Sequence, residues 1–281
     1  MLSKEERVKL QKFAAEIRIA SLEQFEARGF GHVGGSMSIV EALAVLYGGA
    51  MRIDPANPQW EERDWFVCSK GHAGPAVYAA LALKGFFPKD WLPTLNVTGT
   101  NLPSHCDRNR TPGIDMTTGS LGQGISTAVG VAVSHKLDGK DNTVFCMVGD
   151  GECQEGQIWE AIMFAAQYKL SNFVLMVDDN KVQLDGPTSA INDLQSLEEK
   201  FNAFHFRVFS VDGHDVDAIS DAVAQAKAES EQPSVIILNT VKGKDCSFAE
   251  GRFNHHIPVT KEQAAEAIAV LEEKIKALEV V

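Results

Sequence analysis

The sequence has no excess of positive charge, no long apolar run and no paired-cysteine motif, and each absence removes a class of protein. Acidic residues number 38 against 26 basic ones, a formal net charge of −12 over 281 residues. That balance argues against broad electrostatic binding to nucleic acid or to an anionic membrane surface. It leaves room for a small anion pocket, because such pockets use local dipoles and metals rather than net charge. No stretch reaches the ~18 consecutive apolar residues of a membrane span. The opening MLSKEERVKLQKF lacks the apolar core of a secretory signal. The cysteines, Cys68, Cys106, Cys146, Cys153 and Cys246, are odd in number, irregularly spaced and free of any C-x-x-C. A disulfide framework or zinc knuckle is therefore not expected, and a reducing, cytoplasmic setting is. There is also no internal repeat, low-complexity tract or linker, so residues 1–281 read as a single domain. With 44% apolar and 23% charged residues the composition is that of a globular chain.

The order of elements follows from periodicity and punctuation. Ser3 and Glu6 form a capping box ahead of an apolar helical stripe through Leu10, Phe13, Ile17 and Ala20. A glycine-rich break, residues 29–35, precedes a second apolar helix expected from Ser36 to about Met51. Trp65–Ser69 is a short strand candidate and Gly71–Lys84 a helix. Residues 86–118, with Pro88, Pro93, Pro103, Pro112 and Gly113, read as irregular. Gly119–Lys136 is rich in small residues and reads as a helix that sits close to a sheet. Strands at 143–148, 173–177, 206–211 and 235–240 then alternate with helices at 155–168, 194–201 and 216–228. Both faces of these strands are apolar, as in a parallel sheet covered by helices. The pattern is α/β, doubly wound and mostly parallel, followed by a charged amphipathic helix at about 260–278.

The most informative stretch is VFCMVGDGECQEGQIWEA, residues 144–161. A buried strand ends, Gly149-Asp150-Gly151 turns the chain, and a helix begins. In a doubly wound sheet ligands bind at the carboxyl ends of strands. Gly151 leaves the backbone bare for a ligand and Asp150 offers a hard carboxylate. The next strand, NFVLMVDDNKV, presents Asp178, Asp179 and Asn180 at the same edge, after the 28 residues 152–179. One carboxylate and one amide oxygen, with diphosphate oxygens and water, make an octahedral Mg²⁺ or Ca²⁺ site. The plainer alternative is that Asp150 caps the following helix and Asn180 sits in a turn. A dinucleotide fingerprint G-x-G-x-x-G fails, because Gln154 stands where its third glycine belongs.

GDG, then a spacer of this length, then Asn resembles the thiamine diphosphate-binding motif, and three further blocks narrow the likeness. Gly149–Gly156 matches the GDG-x-x-QEG of transketolases. Ser69-Lys-Gly-His72, the TTGSLGQG of residues 117–124 and Gly31-His32 match in the family's order. The chain resembles the N-terminal subunit of a split transketolase, and the likeness spans nearly its whole length. Two alternatives stand beside it: a subunit of another thiamine diphosphate enzyme, of the 2-oxoacid dehydrogenase or deoxyxylulose phosphate synthase kind, against which the QEG and TTGSLGQG blocks speak, and a non-catalytic regulatory homologue, against which the retained Asp150, Asn180 and histidines speak.

That resemblance implies a thiamine diphosphate-binding fold of the pyrophosphate-domain type. It implies Mg²⁺, for which Ca²⁺ or Mn²⁺ can substitute, held by Asp150, Asn180 and the backbone carbonyl of Val182. Gly149, Gly151 and His72 would contact the cofactor, with Gly119 and Leu121 packed around its pyrimidine. His32, His72, His105 and His255 match the histidines lining the family's active site, where groups titrating near neutrality suit the proton transfers of ketol transfer. His256 is adjacent, and register favours His255. Glu155, also counted among the cofactor contacts, would join an acidic network across a subunit interface, with Glu160 in the same region. Asp179 stands where Asn is frequent, and Cys106 where Pro is. Lys242 and Lys244 read either as a sugar-phosphate clamp or as a solvated loop. The family's pyrimidine-binding domain, with most of its substrate-gripping arginines, has no counterpart here. A separate C-terminal subunit is therefore expected, in an α₂β₂ assembly acting on sugar phosphates in the cytoplasm, with no nucleic acid or membrane partner. Residues 91–117 and 243–258 are expected to be mobile without cofactor and partner.

Overall fold

The computed structural model describes residues 2–251 and 255–279. The first helix, α1 (Lys4–Arg28), opens on the expected capping box: Ser3 Oγ accepts from the Glu6 amide while the Glu6 carboxylate accepts from Ser3 N. Five strands form one wholly parallel sheet: β2 (Trp65–Cys68), β3 (Val144–Gly149), β4 (Phe173–Asp179), β5 (Arg207–Asp212) and β6 (Ser234–Asn239), in the order β2-β3-β4-β6-β5. The alternation of strand side chains divides the interior into two cores. Phe145, Met147, Val174, Met176, Ile236 and Leu238 face a core shared with α1, α3 (Val40–Val45), α4 (Gly74–Lys84), α9 (Val216–Ala228) and α10 (Lys261–Glu279). Val144, Cys146, Leu175, Val177, Val235 and Ile237 face a second core under α5 (Gln123–Leu137), α6 (Gly156–Gln167) and α8 (Leu197–Ala203). Helices on both faces are what strands apolar on both sides require. All five cysteines are buried and free. Among the described residues no helix is long and apolar enough to cross a membrane.

Four departures from the sequence reading have physical causes. The helix expected from Ser36 to Met51 is broken into α2 (Val33–Met37), α3 and a wider π-type turn at Leu46–Ala50. The break falls at Ser38, whose hydroxyl donates to Asp178 Oδ2 at 2.7 Å; a bond to a neighbouring strand end competes with regular winding. The helix expected from Gly119 starts at Gln123, because Gly119 and Gly122 adopt positive φ of 138° and 83°. The strand β5 is not apolar on both faces; it lies at the sheet edge and is partly exposed. Finally, β1 (Phe30–Gly31) pairs antiparallel with β7 (Ile257–Pro258), a two-residue ladder too short to leave a period in the sequence. It draws the His255 segment onto His32. Residues 86–118 contain only a tight helical turn at Lys89–Thr94, and buried Leu92, Leu95, Leu102 and Ile114 hold them against the first core. Of the 243–258 loop, residues 252–254 lie outside the described residues.

Candidate cofactor and active site

The segments following β2, β3, β4 and β6 meet at a small cavity of about 130 Å³, and Asp150 also borders a wider one of about 380 Å³ with Asp179 and Asn239. The walls of the small cavity include Asp150, Asn180, Val182, Lys70, Lys242 and His255. Wider concavities exist, such as one of about 410 Å³ between α1 and α9, but that one is mainly apolar and far from the strand ends that carry the motifs.

Asp150 sits just past β3 with its side chain turned inward. Its Oδ1 accepts from the Gly151 amide at 2.7 Å, and its Oδ2 is buried without a hydrogen-bond partner. Burial, with the nearby Asp178 carboxylate second, pushes its pKa up to about 6. An orphaned buried carboxylate oxygen is costly unless a cation or donor is brought to it. Asn180 supplies the neighbouring oxygen: its Nδ2 donates to Asp178 Oδ2 at 2.7 Å, which fixes Oδ1 toward the Val182 amide at 3.1 Å. The Val182 carbonyl accepts from Lys242 Nζ at 2.9 Å. Thus Asp150, Asn180 and Val182 lie together, and their donor set of carboxylate, amide and carbonyl oxygen suits a hard divalent cation. Among the described residues no three His, Cys, Asp or Glu side chains gather as a metal site, so any ion here depends on this mixed set and on ligand oxygens. Gly151 is required by proximity rather than by its φ: a Cβ there would come within 2.6 Å of Gln183 Cβ. Its bare backbone keeps the turn beside Asp150 open to a ligand, so the cavity fits a metal-bound diphosphate.

Beside this oxygen cluster lies a ring of imidazoles. The His32 ring centroid is 5.7 Å from His72, 5.4 Å from His105 and 5.1 Å from His255. His72 and His255 are 4.6 Å apart. All four sequence-selected histidines are thereby in one cluster. His256 also joins it, 4.7 Å from His32 and 5.0 Å from Phe30, whereas it is His255 that lines the cavity. The pKa values of His32, His72, His105 and His255 are all lowered from the ordinary imidazole value in the chain by itself. Burial first, then His255 and His256, lowers His32 to about 3; burial, then Lys242 and Lys70, lowers His255 to about 4. Burial and Lys70 take His72 well below its usual value, and burial alone lowers His105. Gly119 packs on His105, leaving 3.1 Å for a Cβ, and Leu121 is at the cavity wall.

Glu155 and Glu160 are exposed, and Glu155 is not in the wall. The glutamate that is in the wall is Glu152, which occupies one of the variable positions of GDG-x-x-QEG. It accepts from Ser69 Oγ at 2.5 Å, Gly122 N at 2.9 Å and Gly149 N at 3.1 Å, tying three of the four motif blocks together. Sequence reasoning placed Asp178 at the strand end and Lys70 in a motif block but gave neither a role. Asp178 is wholly buried and accepts from Ser38, Asn180, Thr240 and Lys70. Burial would raise its pKa, but Lys70 and these donors bring it below the usual carboxylate range. Of the two readings left open for Lys242, a solvated loop is excluded: it is 4% exposed, and burial followed by Lys70 lowers its pKa to about 8. The half-exposed Lys244 pairs with Glu250 instead.

The family model described as transketolase, thiamine diphosphate binding domain, matches residues 9–274. The chain belongs to the transketolase family. It is 54% identical over 271 residues to the 6-deoxy-6-sulfo-D-fructose transketolase subunit of Clostridium sp. (strain MSTE9), covering 96% of this chain and 98% of that one. It is 39% identical over 236 residues to a subunit of the apulose-4-phosphate transketolase of Actinobacillus succinogenes, covering 84% and 85%. Among solved structures, the Pichia stipitis transketolase complex with sedoheptulose 7-phosphate superposes with a TM-score of 0.87 at 27% identity. The match covers 97% of this chain but 44% of the Pichia chain, so this chain spans less than half the length of that one. The five-stranded parallel sheet with helices on both faces is thus the family's thiamine diphosphate-binding fold.

Proposed function

We propose that this chain is the diphosphate-binding subunit of a two-subunit transketolase, moving a two-carbon ketol unit from a ketose to an aldose. The observation that carries the proposal is the orphaned Asp150 carboxylate beside Asn180 and the Val182 carbonyl, within one cavity that also meets the histidine cluster. When bound, thiamine diphosphate supplies the electron sink that makes the carbon–carbon cleavage possible. Asp150, Asn180 and Val182 would hold Mg²⁺ against its diphosphate, with Gly149, Gly151 and His72 against the phosphates. Gly119 and Leu121 would flank the pyrimidine. His32, His72, His105 and His255 would take up and return protons at the hydroxyl and carbonyl oxygens of donor and acceptor. Their imidazoles are neutral acceptors as they stand, and the negative charge of a diphosphate beside them opposes the lowering of their pKa values.

The residues 1–281 would act as one domain, paired in the cytoplasm with a separate subunit carrying the pyrimidine-binding domain, in an α₂β₂ assembly. Support comes from the relatives named as transketolase subunits, which this chain matches over 98% and 85% of their lengths. Exposed Glu155 and Glu160 suit a subunit contact. The name of the 54% identical relative favours 6-deoxy-6-sulfo-D-fructose as the first ketol donor to try, ahead of pentose and hexose phosphates. The test is a ketol-transfer assay with the partner subunit, Mg²⁺ and thiamine diphosphate, run on those donors. Asp150→Ala is expected to lower activity beyond the ~10–100-fold that removal of a supporting second-layer partner costs a metal site. Activity equal to wild type would overturn the metal assignment, and no transfer from any ketose by the wild-type pair would overturn the activity.

A further inference from the structure

Lys242 reaches the cofactor cavity from a turn that has its own fixings on the opposite side. The turn follows β6 and runs from Val241 to Asp245. On the cavity side, Lys242 Nζ donates to Val182 O and Gly243 N donates to Gly34 O at 3.0 Å. Behind it lies a chain of polar groups, buried at Arg18 and Glu41 and partly exposed at His214, that the ketol-transfer proposal does not use. Arg18, 2% exposed on α1, holds Glu41 of α3 through two bonds of 2.5 and 2.8 Å. Glu41 Oε2 lies 3.0 Å from His214 Nδ1. His214, in the turn after β5, accepts the Val241 amide on Nε2 at 2.8 Å. Arg18 Nε then grips the same turn again, donating to Lys244 O at 3.2 Å.

The directions of these bonds are fixed by chemistry. A backbone N–H can only donate, so Nε2 of His214 must carry the lone pair. The ring proton is then on Nδ1, where it donates to Glu41. Arg18 holds Glu41 in the orientation that accepts it. Val241 N and Lys244 O are the two points held by the relay, and Lys242 and Gly243 lie between them; the turn is also tied by Gly243 N to Gly34 O and by Lys242 O, which accepts from Gly251 N at 3.0 Å. We infer that Arg18, Glu41 and His214 form a positioning relay that sets Lys242 in the cofactor cavity from outside it. This rests on the reading of that cavity as the diphosphate site only for its consequence in binding; the relay itself is a property of the chain.

The relay is tested on the purified chain, without cofactor, by acetylation with acetic anhydride and mass spectrometry of each lysine. Phenylalanine at 214 fills the ring's space but makes neither bond; glutamine offers an oxygen to Val241 and an NH₂ to Glu41. His214→Phe is expected to raise the rate at Lys242 about fivefold, the scale of losing one hydrogen bond. Lys227, bonded to Ala50 O and Asp64 elsewhere in the molecule, is expected to stay unchanged. His214→Gln is expected to restore protection. An unchanged Lys242 rate in His214→Phe, or Lys242 and Lys227 rising together, overturns the relay. In the assembled pair with Mg²⁺, the thiamine diphosphate dissociation constant should weaken in His214→Phe and recover in His214→Gln. A wild-type pair that binds no thiamine diphosphate, with the labelling pattern intact, would overturn the cofactor reading and still support the relay.

Discussion

At the scale of single residues, the site is assembled from groups that would be liabilities elsewhere. Asp150 is buried with one oxygen unpartnered, and the imidazoles of His32, His72, His105 and His255 crowd one another and two lysines. Such arrangements persist where a bound cation or anion relieves them. Gly151 shows how little slack the arrangement has. A methyl there would meet Gln183 Cβ at 2.6 Å, on the same turn whose Val182 carbonyl and Asn180 oxygen flank Asp150. The backbone at Gly151 is ordinary helical, with φ of −62°, so alanine carries no conformational penalty of its own. Gly151→Ala is therefore expected to lower the melting temperature modestly, as the Gln183 turn is pushed aside, and to weaken Mg²⁺-dependent thiamine diphosphate binding about tenfold, near 1.4 kcal/mol. Calorimetric titration checks this. Equal affinity would show that the Gln183 turn yields freely and that the close approach is not a constraint.

At the scale of elements, what the sequence revealed was whatever has a period or a punctuation mark. The strands β3, β4 and β6 are continuous apolar runs, and α1 begins on its capping box. The metal-suited trio was legible because two strand ends carry Gly-Asp-Gly and Asp-Asp-Asn at one sheet edge. The histidine cluster was legible only through family motifs, since His32 and His255 are brought together by a two-residue ladder. Asp178, Glu152 and Lys70 stand inside the motifs but received no role, because their role is set by what they touch, and touching is invisible in one sequence. The same holds for the broken second helix. Ser38 there has a hydroxyl bonded to Asp178 and to Gly35 O, between α2 and α3. Ser38→Ala removes one of the four donors around a wholly buried carboxylate. The expected cost is about 1–2 kcal/mol, read as a lower urea midpoint. An unchanged midpoint would mean that Lys70, Thr240 and Asn180 satisfy Asp178 by themselves.

At the scale of the whole molecule, the site couples stability to pH in a direction that can be worked out. His32, ordinarily near 6.5, is held at about 3, and His255 at about 4, with burial the first cause in both. Unfolding frees these rings to take protons at their ordinary pKa. Between about pH 6.5 and 4 the unfolded chain thus binds more protons than the folded one, and stability falls as pH falls. The contribution is fully present above 6.5. Asp150 and Asp115 act oppositely, because burial raises each from 3.8 to about 6. Their contribution is present below 3.8 and lost as pH rises through 6. The two sets overlap in the same window, so the sign of the overall slope does not isolate the histidines. A variant does. His32→Gln keeps a polar side chain and removes one histidine from the balance, while leaving both carboxylates in place. In the chain without cofactor, the melting temperature of the wild type is expected to fall more steeply from pH 7 to pH 4.5 than that of His32→Gln. Parallel curves for the two would mean that His32 is not held in its neutral form by the fold, and that the crowding of imidazoles carries no energetic weight.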